Sequence, residues 1–497
     1  MRCGAGPLNR DSGVGTGRTS GLPRVGMSER ASGVRISGAT PRTGGLIGIA
    51  LALSLISSGA IADTLTEALT RAYQTNPQLN ADRARQRATD ENVPQALAGY
   101  RPQLVATLSA GLASVRNLLP DNTVQSATLK PWQIGLTVQQ TLFNGFKTAN
   151  SVRVAEFQVR SGREALRNVG QGVLLDAVTA YSNVLANQAL VEAQRANVAF
   201  LRETLEITRK RLNAGDVTPT DTAQAEARLN RGLADLNNAE VNLAISQATY
   251  TQVIGSAPGR LTPAEMIDRL LPRSRENATD LAFRQHPAVL AAGFDVDSAT
   301  ASIGVAQSSL LPSITVQGNV NRSVQTDTTL GTNRTDEASI IGQMNAPIYD
   351  GGTAASQTRQ AKEVVAQSRL VLDHVRNQAR TAAISAWVTS EGAKVAVQAA
   401  ESEVRAATVA LQGVQREAQG GQRTTLDVLN SQQDLNLARA RLIGAQRDRV
   451  IASYTLLSSI GRLDVRTLGL KTPDYLPEVH YQQVRDAWHG LRTPSGQ

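Results

Sequence analysis

Cysteine is almost missing from this 497-residue chain, which has one, Cys3. That excludes a disulfide framework and paired-thiol chemistry. Aromatic side chains are scarce at 3% of residues, against 41% hydrophobic overall. Such a composition is thin for a broad globular interior and suits long helices packed through small side chains. The four histidines, His286, His374, His480 and His489, show no ligand spacing with one another. Nucleophile-elbow, dinucleotide and zinc patterns are absent as well, so no enzyme, metal or cofactor is expected. Past residue 62 no apolar run approaches the ~20 residues of a spanning helix, so any membrane passage is expected as a β-barrel.

Basic charge is present but unevenly placed. Residues 1–62 hold seven arginines and two acids, +5 of the chain's net +9, which leaves +4 for the remainder. This mild excess gives no reason to expect nucleic acid. Arg35 and Arg42 precede the run Leu46–Ile56, and small residues follow to Ala60-Ile61-Ala62. A positive start, a short apolar stretch and an A-x-A end predict a secretory signal peptide cut before Asp63, with Met27 a possible true start. No cysteine would then stand at the new amino terminus to carry a lipid.

The rest of the chain is written twice. Asn76-Pro77-Gln78-Leu79 is echoed by His286-Pro287-Ala288-Val289, and Pro102 by Pro312, both 210 residues later. The offset then becomes 206: Phe143-Asn144-Gly145 with Tyr349-Asp350-Gly351, Tyr181 with Trp387, Gly215 and Asp221 with Gly421 and Asp427, Ile254-Gly255 with Ile460-Gly461. The repeats are set at 63–260 and 278–465, with a linker at 256–277 and a tail at 466–497. Repetition on this scale sets the fold before any single motif does.

Each copy reads helix, strand, strand, long helix, tight turn, helix. Thr66 is placed ahead of a first helical segment running to about Ala98. No proline interrupts 132–218 or 348–472, which permits very long helices. Leu174, Val178, Tyr181 and Leu185 recur at helical spacing, as do Leu229, Leu233, Leu236 and Leu243. Helices of this length imply coiled coil, either as the wall of a hollow tube or as a plain antiparallel pair. The strands alternate: Leu104, Ala106, Leu108, Ala110 and Leu112; Trp132, Ile134, Leu136 and Val138; Ile314, Val316 and Val320. A fourth, Ile340 to Ile348, is disturbed by Ile341. Alternation over about ten residues fits a transmembrane barrel with Trp132 in an interfacial belt, or else a small soluble sheet. Four strands cannot close a barrel, whereas three copies would supply twelve.

In order and duplication these elements resemble the TolC family of outer-membrane efflux proteins over residues 64 to 465. The resemblance implies a mixed α and β membrane protein: a homotrimer whose four strands per protomer complete a twelve-stranded barrel in outer-membrane lipid. Below it, coiled-coil helices would form a periplasmic tunnel, belted by Ser256–Glu276 and the segment after Arg462. The implied partners are a periplasmic adaptor, meeting the tip turns at Gly215 and Gly421, and an inner-membrane pump, ABC-type or proton-driven. The implied function is a passive exit duct for proteins or small toxic compounds; a soluble periplasmic coiled-coil adaptor is the alternative.

The resemblance also assigns roles at the tips. Asp427 matches an aspartate of the periplasmic entrance, and Asn430 stands where the best-known members carry a second. Arg423 matches the arginine that ties neighbouring coiled coils shut, with Thr220 and Asp221 as its partners. Ala418 replaces a gating tyrosine. From the residues alone, Asp221 and Asp427 read equally as first-turn helix acids favoured by the dipole, with Thr220 and Thr425 as helix-start residues.

Overall fold

The computed structural model describes residues 63–327 and 331–494. The presequence, Cys3 and Met27 lie outside them. The first copy runs α1 (Leu65–Thr75), α2 (Pro77–Asp90), α3 (Asn92–Leu97), β1 (Gln103–Ala110), β2 (Ala113–Leu118), β3 (Val124–Asn144), α4 (Lys147–Asn213) and α5 (Pro219–Ile254). The second runs α6 (Arg275–Gln285), α7 (Pro287–Gln307), β4 (Ser313–Asp327), β5 (Gly331–Asn345), α8 (Thr353–Gln419) and α9 (Thr425–Ser459). Two short helices follow, α10 (Val465–Leu468) and α11 (Pro477–Val484). The duplication is quantitative: α1 and α6 have 11 residues each, and α4 and α8 have 67 each. At 1.5 Å per residue the long helices run about 100 Å.

The helices pack through seven-residue repeats. Along α4 the buried positions Ala177, Val184, Val191, Val198 and Leu205 recur every seventh residue. On α5 the buried positions are Ala225, Gly232, Ala239 and Ser246 at the same interval. A strict heptad is the period of supercoiled helices, and small residues let α5 approach α4 closely. At Gly232 an added Cβ would meet Leu201 at 2.8 Å. Of the leucine stripe expected on α5, Leu229 and Leu243 pack against buried clusters whereas Leu233 is exposed, and the small residues face the partner helix.

The first helical segment differs from its expected form. Its cap is Thr64, not Thr66; the Thr64 hydroxyl accepts from the Glu67 N–H and the Glu67 carboxylate accepts from the Thr64 N–H. The segment breaks at Asn76, whose side chain accepts the N–H groups of Gln78 and Leu79 and so opens α2 ahead of Pro77. His286 does the same for α7, its Nδ1 accepting from the Ala288 N–H. Each return helix ends at a glycine of positive φ tucked against its own copy of this junction. Gly255 (φ 87°) lies against Thr75, and Gly461 (φ 78°) lies where a Cβ would strike His286 and the Gln285 carbonyl. One helical stretch, Arg275–Leu310, contains an 18-residue window apolar enough to cross a membrane, of mean hydropathy 1.3. The sequence was not expected to hold one. The stretch is broken at His286-Pro287, and α7 lies along α4 and α8.

The strands form one antiparallel sheet in the order β1–β3–β4–β5, with β2 continuing the line of β1 beside β3. The second strand does not begin at Trp132 as its alternation implied. It starts at Val124 and passes through Pro131. Proline gives no N–H to the ladder, and Pro131 lies opposite the gap between β1 and β2, where its carbonyl accepts from the Gly111 N–H. The missing ladder bond thus coincides with the break in the neighbouring strand. Ile348 falls beyond β5.

The main core lies where both copies and the linker meet, around Tyr181, Tyr250, Tyr454, Leu457 and Ile460. The Tyr181 hydroxyl lies 2.6 Å from the Thr262 carbonyl and 2.8 Å from the Asp63 carbonyl, pinning the linker and the chain start together. Helix α11 lies on α2, with His480 Nδ1 3.0 Å from Asp90 Oδ2 and both side chains almost wholly buried.

Candidate functional site

The two helical hairpins turn by the same device. Gly215 (φ 83°) and Gly421 (φ 78°) follow α4 and α8 in the left-handed conformation that glycine adopts without strain. The next N–H in each turn reaches back to a carbonyl five residues earlier, Asp216 to Arg211 and Gln422 to Glu417. This bonding closes a helix C-terminus. Each return helix then opens with a capping box. The Thr218 hydroxyl caps the Asp221 N–H while the Asp221 carboxylate accepts from Thr218, and Thr424 with Asp427 repeats it. The caps are therefore Thr218 and Thr424, a correction to the expected Thr220 and Thr425, which lie just inside their helices. The T-x-x-D spacing is the sequence signal that identifies them.

The cap bonds set the charge at the tip. Hydrogen bonds from Thr424, first from its backbone and then from its hydroxyl, hold the Asp427 carboxyl below the usual carboxylate range, with a lesser contribution from Arg423. Thr218 lowers Asp221 in the same way. Both aspartates are therefore ionised at neutral pH. Within the protomer Arg423 turns to Glu417 at 2.9 Å rather than to Asp221. Asn430, one turn beyond Asp427, is exposed and accepts from Arg228 of α5 at 2.9 Å; Arg228 also donates to Gln433. Deeper between the hairpins, Gln432 donates to Asn197 at 2.9 Å and Asn436 donates to Gln194 at 3.2 Å. The sequence reading missed this polar ladder between α4, α5 and α9, because its members lie more than 200 residues apart in places.

At the other end, the sheet separates residues by face. Leu104, Val138, Gly318 and Ile340 form one cross-strand row, and Ala106, Leu136, Val320 and Ala338 the next. Residues paired across antiparallel strands share a face, so this side is mainly apolar, interrupted by the row of Arg322 and Asp336. It is also uncovered: Leu108 is 76%, Leu112 77% and Ile340 83% exposed. The opposite face carries polar rows such as Thr107, Gly135, Asn321 and Glu337. Ile341, the residue that disturbs the alternation, sits on the polar face. Trp132 is on the apolar face between Ala110 and Val324. Among the described residues no group of three or more His, Cys, Asp or Glu could hold a metal ion.

A duplicated chain whose lipid-compatible sheet leads directly into paired coiled-coil hairpins has the architecture of a membrane protein of mixed α and β class. More particularly, the chain belongs to the outer membrane efflux protein family, whose model matches residues 68–256 and 278–462, one segment per repeat. It is 40% identical to the outer membrane efflux protein BepC of Brucella suis over 458 residues, 91% of this chain and 97% of that protein. The outer membrane protein TolC of Vibrio cholerae is 28% identical over 84% of this chain and 94% of its own length. In fold, the chain matches the crystal structure of the Campylobacter jejuni CmeC outer membrane channel with a TM-score of 0.71 and 14% identity, covering 85% of this chain and 89% of that one. The protein is an outer-membrane channel serving export, and its place is the outer membrane of a Gram-negative bacterium.

Proposed function

We propose that three copies close a twelve-stranded barrel over a periplasmic tunnel. This duct would receive proteins or small toxic compounds from an inner-membrane pump, ABC-type or proton-driven, through an adaptor that docks on the tip turns at Gly215 and Gly421. The observation that carries the reading is the sheet itself: an uncovered apolar face whose two borders, β1 with β2 and β5, have no partner strand among the described residues. Exposed edges pair with other chains unless they are protected. The smallest membrane barrels use eight strands, so a protomer with four strand positions needs neighbours, and a threefold axis removes every edge. Val388, Val395 and Val409 on α8 are exposed at multiples of seven residues, the pattern of a seam awaiting another helix. The linker 256–277 and the segment after Arg462 would form the belt around the tunnel.

At the tip, threefold symmetry would bring three Asp427 carboxylates around the axis as a ring that selects cations and admits a multivalent plug. Asn430 makes the next ring uncharged. Arg423, held by Glu417 in the lone protomer, would exchange that partner for Thr220 and Asp221 of a neighbouring hairpin in the closed state. Imaging of the detergent-solubilised complex tests the assembly. A threefold particle with a long hollow stem is expected, and a monomeric particle in solution without detergent would refute the reading.

A further inference from the structure

The sheet also sorts its charged residues by face. In the five strands the basic residues are Arg116, Lys130, Arg322 and Arg334, and all four are exposed. Arg116 pairs across with Ser126, Lys130 with Thr326, Arg322 with Ile134, and Arg334 with Val324. Those partners are even-numbered positions of β3 and β4, on the same side as Trp132, Leu136 and Val320. All four cations therefore stand on the apolar, lipid-facing side. The polar face carries Asp327 and Glu337 and, among the described strand residues, no base. Among the described strand residues the only acid on the apolar face is Asp336, which bridges Arg322 (2.6 Å) and Arg334. The net charge on this face is thus +3 per protomer.

Height along the strands gives this charge its meaning. The apolar face begins at the Ile314–Met344 row near the helices, and the row of Trp132, Val324 and Arg334 lies ten residues further along β4. Ten residues at ~3.4 Å, in strands tilted by about 40°, rise about 25 Å, the height of the apolar band of an outer-membrane barrel. Arg334 therefore stands at the upper rim. Lys130 lies two residues above it and Arg116 further toward the β2–β3 turn. Arg322 and Asp336 lie one row below, neutralising each other, and the arginine stem can lift its head to the rim. A lipid-facing cation costs about 2–4 kcal/mol at mid-membrane and almost nothing at the interface. At the lower rim the strand residues include Ile314 and Met344 and no base; the nearest cations, Arg101 and Lys147, lie outside the strands, and Arg101 donates to the Ala487 carbonyl. Because the long helices start from the lower rim, the charged rim faces outward from the cell.

We propose that Arg116, Lys130, Arg322 and Arg334 form a cationic collar that binds the phosphates of the anionic glycolipid of the outer leaflet, lipid A of lipopolysaccharide. Surplus positive charge at the interface, set above an apolar band that holds acyl chains, complements a lipid with several chains and phosphorylated sugars. Arg116 and Lys130 have no acidic partner among the described residues, which leaves them available to phosphate. The inference needs the sheet to face lipid and is independent of the tip gate.

The test uses the full channel, purified in detergent and stripped of lipid. It is offered lipopolysaccharide, the same material after phosphatase treatment, or phosphatidylglycerol, and retained lipid is measured by native mass spectrometry. Wild type should retain the phosphorylated glycolipid in clear preference to the other two. The triple variant R116S/K130S/R334S, which leaves the Arg322–Asp336 pair intact, should retain roughly tenfold to a hundredfold less, at about one kcal/mol per interfacial cation. The charge-conserving R116K/R334K should behave as wild type. Equal retention of phosphorylated and dephosphorylated glycolipid by wild type overturns the proposal without reference to any variant. Equal retention of phosphatidylglycerol overturns the outer-leaflet assignment. A triple variant that unfolds at the same temperature as wild type and binds as wild type overturns the choice of residues.

Discussion

Asp427 carries two loads. Its carboxylate closes the capping box with Thr424, and under the proposed symmetry it also lines the entrance. The cap lowers its folded-state pKa, so its contribution to the first turn of α9 is present above the unfolded value of about 3.9 and is lost as pH falls through the folded value. Asp221 follows the same sign. Cation preference in planar bilayers should therefore be constant from about pH 8 to pH 5 and decline only below about pH 4, with the amide protection of both tip turns falling over the same range. Replacing Asp427 with Asn should keep the channel folded while lowering cation preference and weakening block by trivalent ions. Unchanged selectivity would remove Asp427 from the pore lining. Replacing Arg423 with Ser should raise resting conductance if that arginine holds the closed state, and an equally closed channel would place the restraint elsewhere.

Among the elements, α11 is tied to α2 by a buried polar contact, His480 to Asp90. Asp90 is wholly buried and its pKa is raised, chiefly by desolvation, against the hydrogen bonds of His480 and Gln86. Replacing His480 with Ala leaves Asp90 with Gln86 alone, and an unmet buried polar group costs about 1–3 kcal/mol. The expected result is loss of hydrogen-exchange protection over Pro477–Val484 with α4 and α5 unaffected; protection unchanged would mean that apolar contacts alone dock the helix. This contact shows where sequence reading stops. The long helices were legible because proline is missing over long stretches, and the turns because Gly215 and Gly421 precede matched aspartates. Asp90 and His480, 390 residues apart, carry no local pattern. The strand alternation was followed only from Trp132, and Pro131 is accommodated inside the strand because it lies opposite a gap, which is a property of the neighbour. The caps at Thr218 and Thr424 were within reach, but the threonines next to them in sequence drew the assignment.

For the molecule as a whole, the duplication was readable because each copy repeats the same junctions at a nearly constant offset. The pairing of Arg423 with Glu417 within the protomer was not, since no repeated pattern singles out Glu417. If three protomers share one barrel, folded sheet and trimer should vanish together when the detergent-solubilised protein is diluted or heated. A folded monomeric barrel persisting after the trimer is gone would contradict this.

Under the proposed threefold assembly, the open borders of the sheet have a genetic consequence. A subunit able to offer β1 but not β5 would still be recruited, yet it could never complete the ring it joins. With equal expression beside the intact chain and random mixing into threefold rings, only about one assembly in eight would be free of it. A single damaged allele would then act as a poison.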